Sequence, residues 1–320
     1  MLIVYLDQNK WIELARAAKH PALHSKLQPL LARIREQVNA GRLALPLTFA
    51  NIYETHKIND PERRFDLAFV QAFLSNGLVI RGRHSRLKVE INRVLADSFQ
   101  LTLPDIDERW FISNVFFESV AEWNDTRLGI EISEKVLSYI RCNPAESLFE
   151  FLINTPEDVR IGSVKNFSAG SERLRMLVEE RRGKHAGESV AMRRRIYSAL
   201  LMIDDFERII DFANDIGLMW SGTADMGDKI ARRLINEVPT YHIEREIALR
   251  LEAQYRPIEE NDFRDMQSFC AVIPYAELLV GEKQFVNLAR QAGLDRKFGT
   301  RMATDLSALE ELLHRSESPR

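Results

Sequence analysis

Four acidic residues stand where a carboxylate could do chemistry. Asp7 directly follows the apolar run Leu2-Ile3-Val4-Tyr5-Leu6 and precedes helical spacing at Trp11, Ile12, Leu14 and Ala15. Glu54 lies two turns into a helical pattern that Thr48 is placed to cap, with Phe49, Ile52 and Tyr53 set to pack. Asp265 opens the apolar stretch DMQSFCAVIPY, and Glu282 follows the short run Leu278-Leu279-Val280 after a single glycine. Glu277, at the start of that run, and Asp262, one turn before Asp265, are reserves. Converging carboxylates suit metal-assisted phosphodiester hydrolysis, because Mg²⁺ prefers oxygen ligands and keeps waters that can attack or bridge to phosphate. Each acid alone has an ordinary explanation: Asp is a preferred helix N-cap, and a lone helical Glu is usually solvated. Their placement at the ends of separate elements is what carries weight.

Those elements alternate at both ends of the chain. A strand over 2–6, a helix over 22–40, a strand over 43–47, helices over 49–58 and 61–75, and a strand over 78–80 predict a parallel sheet. Alternation returns at 276–280 (strand), 284–292 (helix), 299–303 (strand) and 306–314 (helix). Between them the patterns are helical: 84–98, 109–124, 131–141, 145–154, 188–216, 223–236 and 241–254. The expected architecture is a discontinuous α/β domain, 1–82 plus 256–320, interrupted by a helical insertion domain over 83–255. Trp110, Phe111, Phe116 and Phe117 read as core of that insertion.

With 45% hydrophobic and 28% charged residues the chain has globular composition, which excludes wholesale disorder. A net charge of −3 means that any nucleic acid must be met by a local basic patch. Two cysteines, Cys142 and Cys270, without a CxxC, give neither a disulfide framework nor a zinc site and predict a cytoplasmic protein. No apolar run reaches the ~18 residues of a membrane span, and Asp7 interrupts the first run, which reads as a strand and not a signal peptide. No GxGxxG is present for dinucleotide binding.

Together the acids resemble those of PIN-domain nucleases. The resemblance rests on Asp7 with Asn9 two residues on, the Thr48-opened helix carrying Glu54, Asp265 at a helix start, and Glu282 at a strand end. It covers about half of the chain and implies a three-layer sandwich around a central parallel sheet, with the helical insertion added. It also implies that Asp7, Glu54, Asp265 and Glu282, with Glu277 in reserve, bind Mg²⁺ or Mn²⁺ and activate water against a phosphodiester, usually in RNA. The sequence departs from the family where Gly281 stands in place of its usual Thr and Glu282 in place of its Asp. Two other strand-terminal-Asp chemistries fit less well. A haloacid-dehalogenase-type phosphatase wants Asp at position nine, and a receiver domain wants an acidic pair before the first strand.

The insertion carries a basic stretch. Between 173 and 195, Arg173, Arg175, Arg181, Arg182, Lys184, Arg193, Arg194 and Arg195 face only Glu179, Glu180 and Glu188. Either it is a phosphate-binding patch, with Arg181, Arg182, Lys184, Arg193 and Arg194 joining Asn9 and Thr48 as substrate contacts, or it is a solvated face with internal Glu–Arg pairs. Asp204, Asp205 and Asp211 read as exposed face and His56 as structural. The expected function is a metal-dependent nuclease acting on RNA in preference to DNA, with a protein partner or inhibitor as a second class of partner. The alternative is a catalytically inactive scaffold of the same fold that binds nucleic acid or protein through its helices.

Overall fold

A computed structural model of the chain describes residues 1–120, 132–254 and 256–317. Strand β1 (Leu2–Leu6) is apolar at every position because helices cover both of its faces, as in buried parallel sheets. It pairs in parallel with β2 (Leu43–Ala44), and β3 (Val79–Ile80) runs antiparallel to β4 (Ile112–Ser113). On its other side β1 pairs in parallel with β5 (Leu278–Val280), which pairs in parallel with β6 (Arg301–Ala303). The central order is therefore β2-β1-β5-β6. The β3–β4 pair joins this sheet through Leu47, whose N–H donates to Leu78 and whose carbonyl accepts from Ile80.

The helices, in chain order, are α1 (Gln8–Lys19), α2 (Gln28–Asn39), α3 (Phe49–His56), α4 (Pro61–Leu74), α5 (Arg83–Phe99), α6 (Glu134–Cys142), α7 (Pro144–Asn154), α8 (Glu157–Lys184), α9 (Val190–Asp204), α10 (Phe206–Asp215), α11 (Thr223–Glu237), α12 (Pro239–Glu252), α13 (Glu260–Val272), α14 (Lys283–Gln291), α15 (Leu294–Phe298) and α16 (Ser307–Glu317). Local chemistry sets several of their ends. Asp60 accepts the N–H groups of Glu62 and Arg63 at 2.9 and 3.1 Å just before Pro61, which loses nothing at the first helical position.

Alternation along β1 divides the core. Val4 and Leu6 pack with Trp11, Leu14, Ile34 and Leu309, whereas Ile3 and Tyr5 pack with Phe263, Phe269 and Phe285. Elements from within 83–255 finish both layers: α7 adds Leu148 and Leu152 to the first, and α12 adds Ile243, Ile247 and Leu251 to the second. A third core is helical throughout, joining Leu87, Ile91 and Leu95 to Ile209, Phe212, Leu234 and Tyr241. Among the described residues no helix is long and apolar enough to cross a membrane.

Two sequence expectations change. The helix expected over 109–124 is instead β4 followed by a 3₁₀ turn at Phe116–Ser119, and its end lies outside the described residues. Phe111 stacks on Tyr275 at 4.3 Å there, and Trp110, Phe111 and Phe116 pack with the two layers of the sheet and not, as expected, with the core of the helical insertion. The expected helix over 188–216 breaks into α9 and α10 at Asp205. That residue is buried, not exposed, and its carboxylate pairs with Arg83 at 2.6 Å and with Arg208.

Gly281, at the end of β5, has no room for a side chain. A Cβ built there lies 2.9 Å from the Phe269 ring and 3.0 Å from Leu279 Cδ2. Replacing Gly281 by Ala is expected to destabilise the fold by about 1–3 kcal/mol through overpacking. Adding Phe269→Leu should return part of that loss, and a thermal-denaturation double-mutant cycle showing strict additivity would contradict the contact.

Candidate active site

The crevice of an open parallel sheet lies beyond the carboxyl ends of its strands, where neighbouring connections leave in opposite directions. Here that position falls between β1, whose chain continues to β2, and β5, whose chain continues to β6. The Asp7 N–H donates to Val280 O at 2.9 Å, so the first residue past β1 is tied to the last residue of β5. Asp7 and Glu282 therefore leave adjacent strand ends. Asp7 occupies the N-cap position of α1 with extended backbone (φ −64°, ψ 159°), but its carboxylate makes no capping bond deeper in the helix. The neighbouring Gln8 N–H donates to it. Glu282 holds the same position on α14, is exposed, and likewise makes no side-chain cap.

Glu54 and Asp265 come in from the helices above. The α3 helix is fixed at its start by a capping box in which Asn51 Oδ1 accepts the Thr48 N–H at 3.0 Å. One turn later Glu54 Oε1 faces Arg264 Nε at 3.5 Å. Asp265, the next residue on α13, is within hydrogen-bonding reach of Glu282. The electrostatics mark the four as one group. Burial pushes Asp265 up to about 9, with Asp7, Glu282 and Glu54 adding repulsion. Burial raises Glu54 to about 7, opposed by Arg264 and reinforced by Asp7 and Glu282. Asp7 is raised by burial and by Glu282, against the pull of Lys10 and Arg264.

The other expected site residues go elsewhere. Glu277 sits at the opposite end of β5, where its carboxylate accepts the Ile3 N–H at 2.6 Å, so it is separated from the cluster by the length of the strand. Asp262 is buried and spent on the Arg256 guanidinium and the Glu259 N–H. Thr48 is buried, with its hydroxyl on Asn51 and Ser268 at 3.1 Å each, and so supports the site from beneath without facing a substrate. Asn9 is exposed on α1, and the inward polar residue is its neighbour Gln8. Of the basic stretch, Arg182 is consumed by Glu179 and three backbone carbonyls, and Arg194 by Glu246 at 2.9 Å. Arg181 pairs with Glu252 at 2.7 Å, while Lys184 is exposed. His56 is structural, with Nε2 at 3.3 Å from Phe151 O.

Three features escaped the sequence reading. Arg264, 8% exposed at its side chain, is a built-in counter-charge shared by Glu54 and Glu260. Its place between Asp262 and Asp265 in sequence was the available signal. Lys57, at 3.1 Å from Glu260, adds positive charge near Glu54. Beneath them Gln8, Asn51, Thr55 and Gln71 form a buried network, including Gln8 Nε2 to Thr55 Oγ1 at 3.0 Å and Gln71 Nε2 to Gln8 Oε1 at 3.0 Å. Each amide there has its partners, which rigidifies the floor of the site.

Among the described residues no group of three or more His, Cys, Asp or Glu side chains is placed so that it could hold a metal ion. The donor chemistry nevertheless fits a hard divalent cation: the four groups offer only carboxylate oxygens, and Asp265 lies within hydrogen-bonding reach of Glu282. Mg²⁺ is commonly held by one or two carboxylates with waters completing its octahedron. In comparisons with known proteins, no family profile, no curated protein and no solved structure matches this chain.

The raised acids make a stability prediction. A carboxyl whose folded value lies above the unfolded value, about 4, adds stability that is complete at low pH and is lost as pH rises through the folded value. Asp265, folded near 9, therefore weighs against the metal-free protein increasingly from pH 5 to pH 9. In EDTA, Asp265→Asn should melt higher than wild type by a margin that grows with pH. Mn²⁺ should stabilise wild type more at pH 8.5 than at pH 5.5, and a margin independent of pH would contradict the crowded acids.

Proposed function

We propose that this chain is a divalent-metal-dependent nuclease of the PIN type, acting on RNA. The observation that supports it is the convergence of Asp7, Glu54, Asp265 and Glu282, electrostatically coupled, at the strand-order reversal between β1 and β5. Helices on both faces of the parallel sheet agree with the three-layer arrangement of that family. Asp7, Asp265 and Glu282 are the residues that would hold Mg²⁺ or Mn²⁺, with Glu54 at the margin. When bound, the ion supplies stabilisation of charge developing on the phosphoryl oxygens and favours ionisation of water.

The chain's own groups do the rest. Asp7 and Glu282, fixed to adjacent strand ends, set the spacing at which a phosphodiester is received. Glu54 turns Oε1 toward Arg264, leaving Oε2 to take a proton from the attacking water, a role suited to a carboxyl near 7. Arg264 stays charged between Glu54 and Glu260 and limits repulsion among the acids as substrate phosphate approaches.

The test is cleavage of labelled single-stranded RNA and DNA by wild type and Asp7→Asn, each with Mn²⁺ or EDTA. Cleavage should need the metal, favour RNA and fall by at least about 10²-fold in the variant, the scale of removing one positioned charge-stabilising group. No metal-dependent cleavage, or equal cleavage by Asp7→Asn, would leave the inactive, binding-only scaffold as the better reading. The departures at Gly281 and Glu282 favour that second reading.

A further inference from the structure

A cavity of about 420 Å³ opens between α8, α9 and the end of α12. Its lining includes Arg181, Arg182, Arg193, Tyr197 and Glu252. Three of its donors, Arg181 Nε, Arg193 Nε and the Tyr197 hydroxyl, are buried without a hydrogen-bond partner among the described residues. Tyr197 is only 7% exposed, and the Arg181 guanidinium lies 5.2 Å from its ring centroid. Leaving a buried donor unmade is costly, and three of them around one hollow describe a place built for an acceptor-rich anion. Arg193, unlike Arg182 and Arg194, makes no ion pair within 4 Å among the described residues, although its charge is felt by Glu252.

A chain of side-chain contacts runs from the cavity wall toward the element that carries Glu282. Arg182 Nη1 donates to Arg256 O at 3.0 Å, and the Arg256 side chain holds Asp262. Gln284, two residues past Glu282, reaches both Gln254, on the cavity wall, and Asp262 at 3.3 and 3.5 Å. Glu282 in turn acts on the charge of Arg256. The geometry points to this cavity as a phosphate subsite that holds a single-stranded RNA next to the scissile bond, with Arg193, Arg181 and Tyr197 donating to the phosphate oxygens. A phosphate offers enough acceptor oxygens to satisfy all three donors, and arginine provides the forked, permanently charged donor that phosphate recognition uses. The inference rests on the nuclease reading for the identity of the strand.

It is tested by binding in EDTA, where no metal-dependent cleavage intervenes, so its failure is distinct from failure of catalysis. Fluorescence anisotropy of a labelled 12-nucleotide RNA, with or without a 5′-phosphate, is followed against salt for wild type, Arg193→Gln, Tyr197→Phe and the remote control Arg35→Gln. Arg193→Gln should weaken binding about tenfold, as expected for a charge-assisted hydrogen bond, and flatten the salt slope by roughly 0.7, one single-strand phosphate contact. Arg35→Gln should change neither. Tyr197→Phe should weaken binding roughly threefold without lowering Tm, since it removes only an unpartnered hydroxyl. A 5′-phosphate preference lost in Arg193→Gln assigns the site to a strand end, and equal binding of both RNAs with the same loss assigns it to an internal phosphodiester. Wild type that binds neither RNA, or folded variants that keep wild-type affinity and slope, overturns the proposal. If Arg193→Gln does not fold, Tyr197→Phe alone decides.

Discussion

Parallel pairing of β1 with β5 forces carboxylates together. The register Leu6–Val280 leaves Asp7 and, past Gly281, Glu282 at neighbouring strand ends. The α3 and α13 helices then bring Glu54 and Asp265 over them. Charges at this range repel, and at Asp7, Glu54 and Asp265 burial removes much of the water that would screen them. The rest of the region follows as a response. Arg264 is buried among the acids, Lys10 and Lys57 stand at the edge, and burial with the neighbouring charges pushes Asp265 well above the usual carboxylate range. A fold that maximised stability would not assemble these four groups, because a buried carboxyl without a full partner costs free energy that packing elsewhere must offset. Such placement at a sheet crevice is the physical ground for the proposed site.

The long helical segment between the two α/β parts belongs to the same constraint. With β1 flanked by β2 and β5, both faces of the sheet need helices, and the local crossovers do not supply enough. α7 covers part of one face with Leu148 and Leu152, and α12 covers part of the other with Ile243 and Ile247. α8 passes α13 near the acids, where Ser168 donates to Glu260 at 2.6 Å and Phe167 packs on Tyr53 at 4.5 Å between ring centroids. Glu260 and Tyr53 are themselves neighbours of Arg264. The helices thus brace the residue that counterbalances the acids.

The sheet was legible in the sequence because buried parallel strands are short apolar runs ending in a polar residue, and Leu2–Leu6 and Leu278–Val280 end where that rule says. Asp7, Glu54, Asp265 and Glu282 could be picked out for the same reason: their positions relative to element ends are local facts. What could not be read was the direction of side chains whose partners are distant in sequence. Nothing near Glu277 announces that it will accept the Ile3 N–H, and nothing near Asp205 announces Arg83. The basic stretch was visible as composition, but its division into consumed arginines and the unpaired Arg193 depends on α12 lying against α8 and α9. Gln8 and Asn9 are adjacent, and which of them turns inward is decided by Gln71 and Thr55, some 50 to 60 residues on.

The strand-end departure has a structural counterpart. With glycine at 281, the Phe269 ring closes on the backbone where a threonine side chain would stand, and no hydroxyl is present at that point. Hydroxyls gather one layer lower instead. Thr48 and Ser268 meet at 3.1 Å, and Asn51, which accepts from the Thr48 hydroxyl at 3.1 Å, donates to Gln8 Oε1 at 3.3 Å. Gln8 is the residue after Asp7, Ser268 is one turn past Asp265, and Thr48 opens the helix that carries Glu54. Three of the four acid-bearing elements are therefore linked beneath the carboxylates by one set of hydrogen bonds. Because those bonds are buried, the elements that carry Asp7, Glu54 and Asp265 are held in place from below and not by their mutually repelling carboxylates.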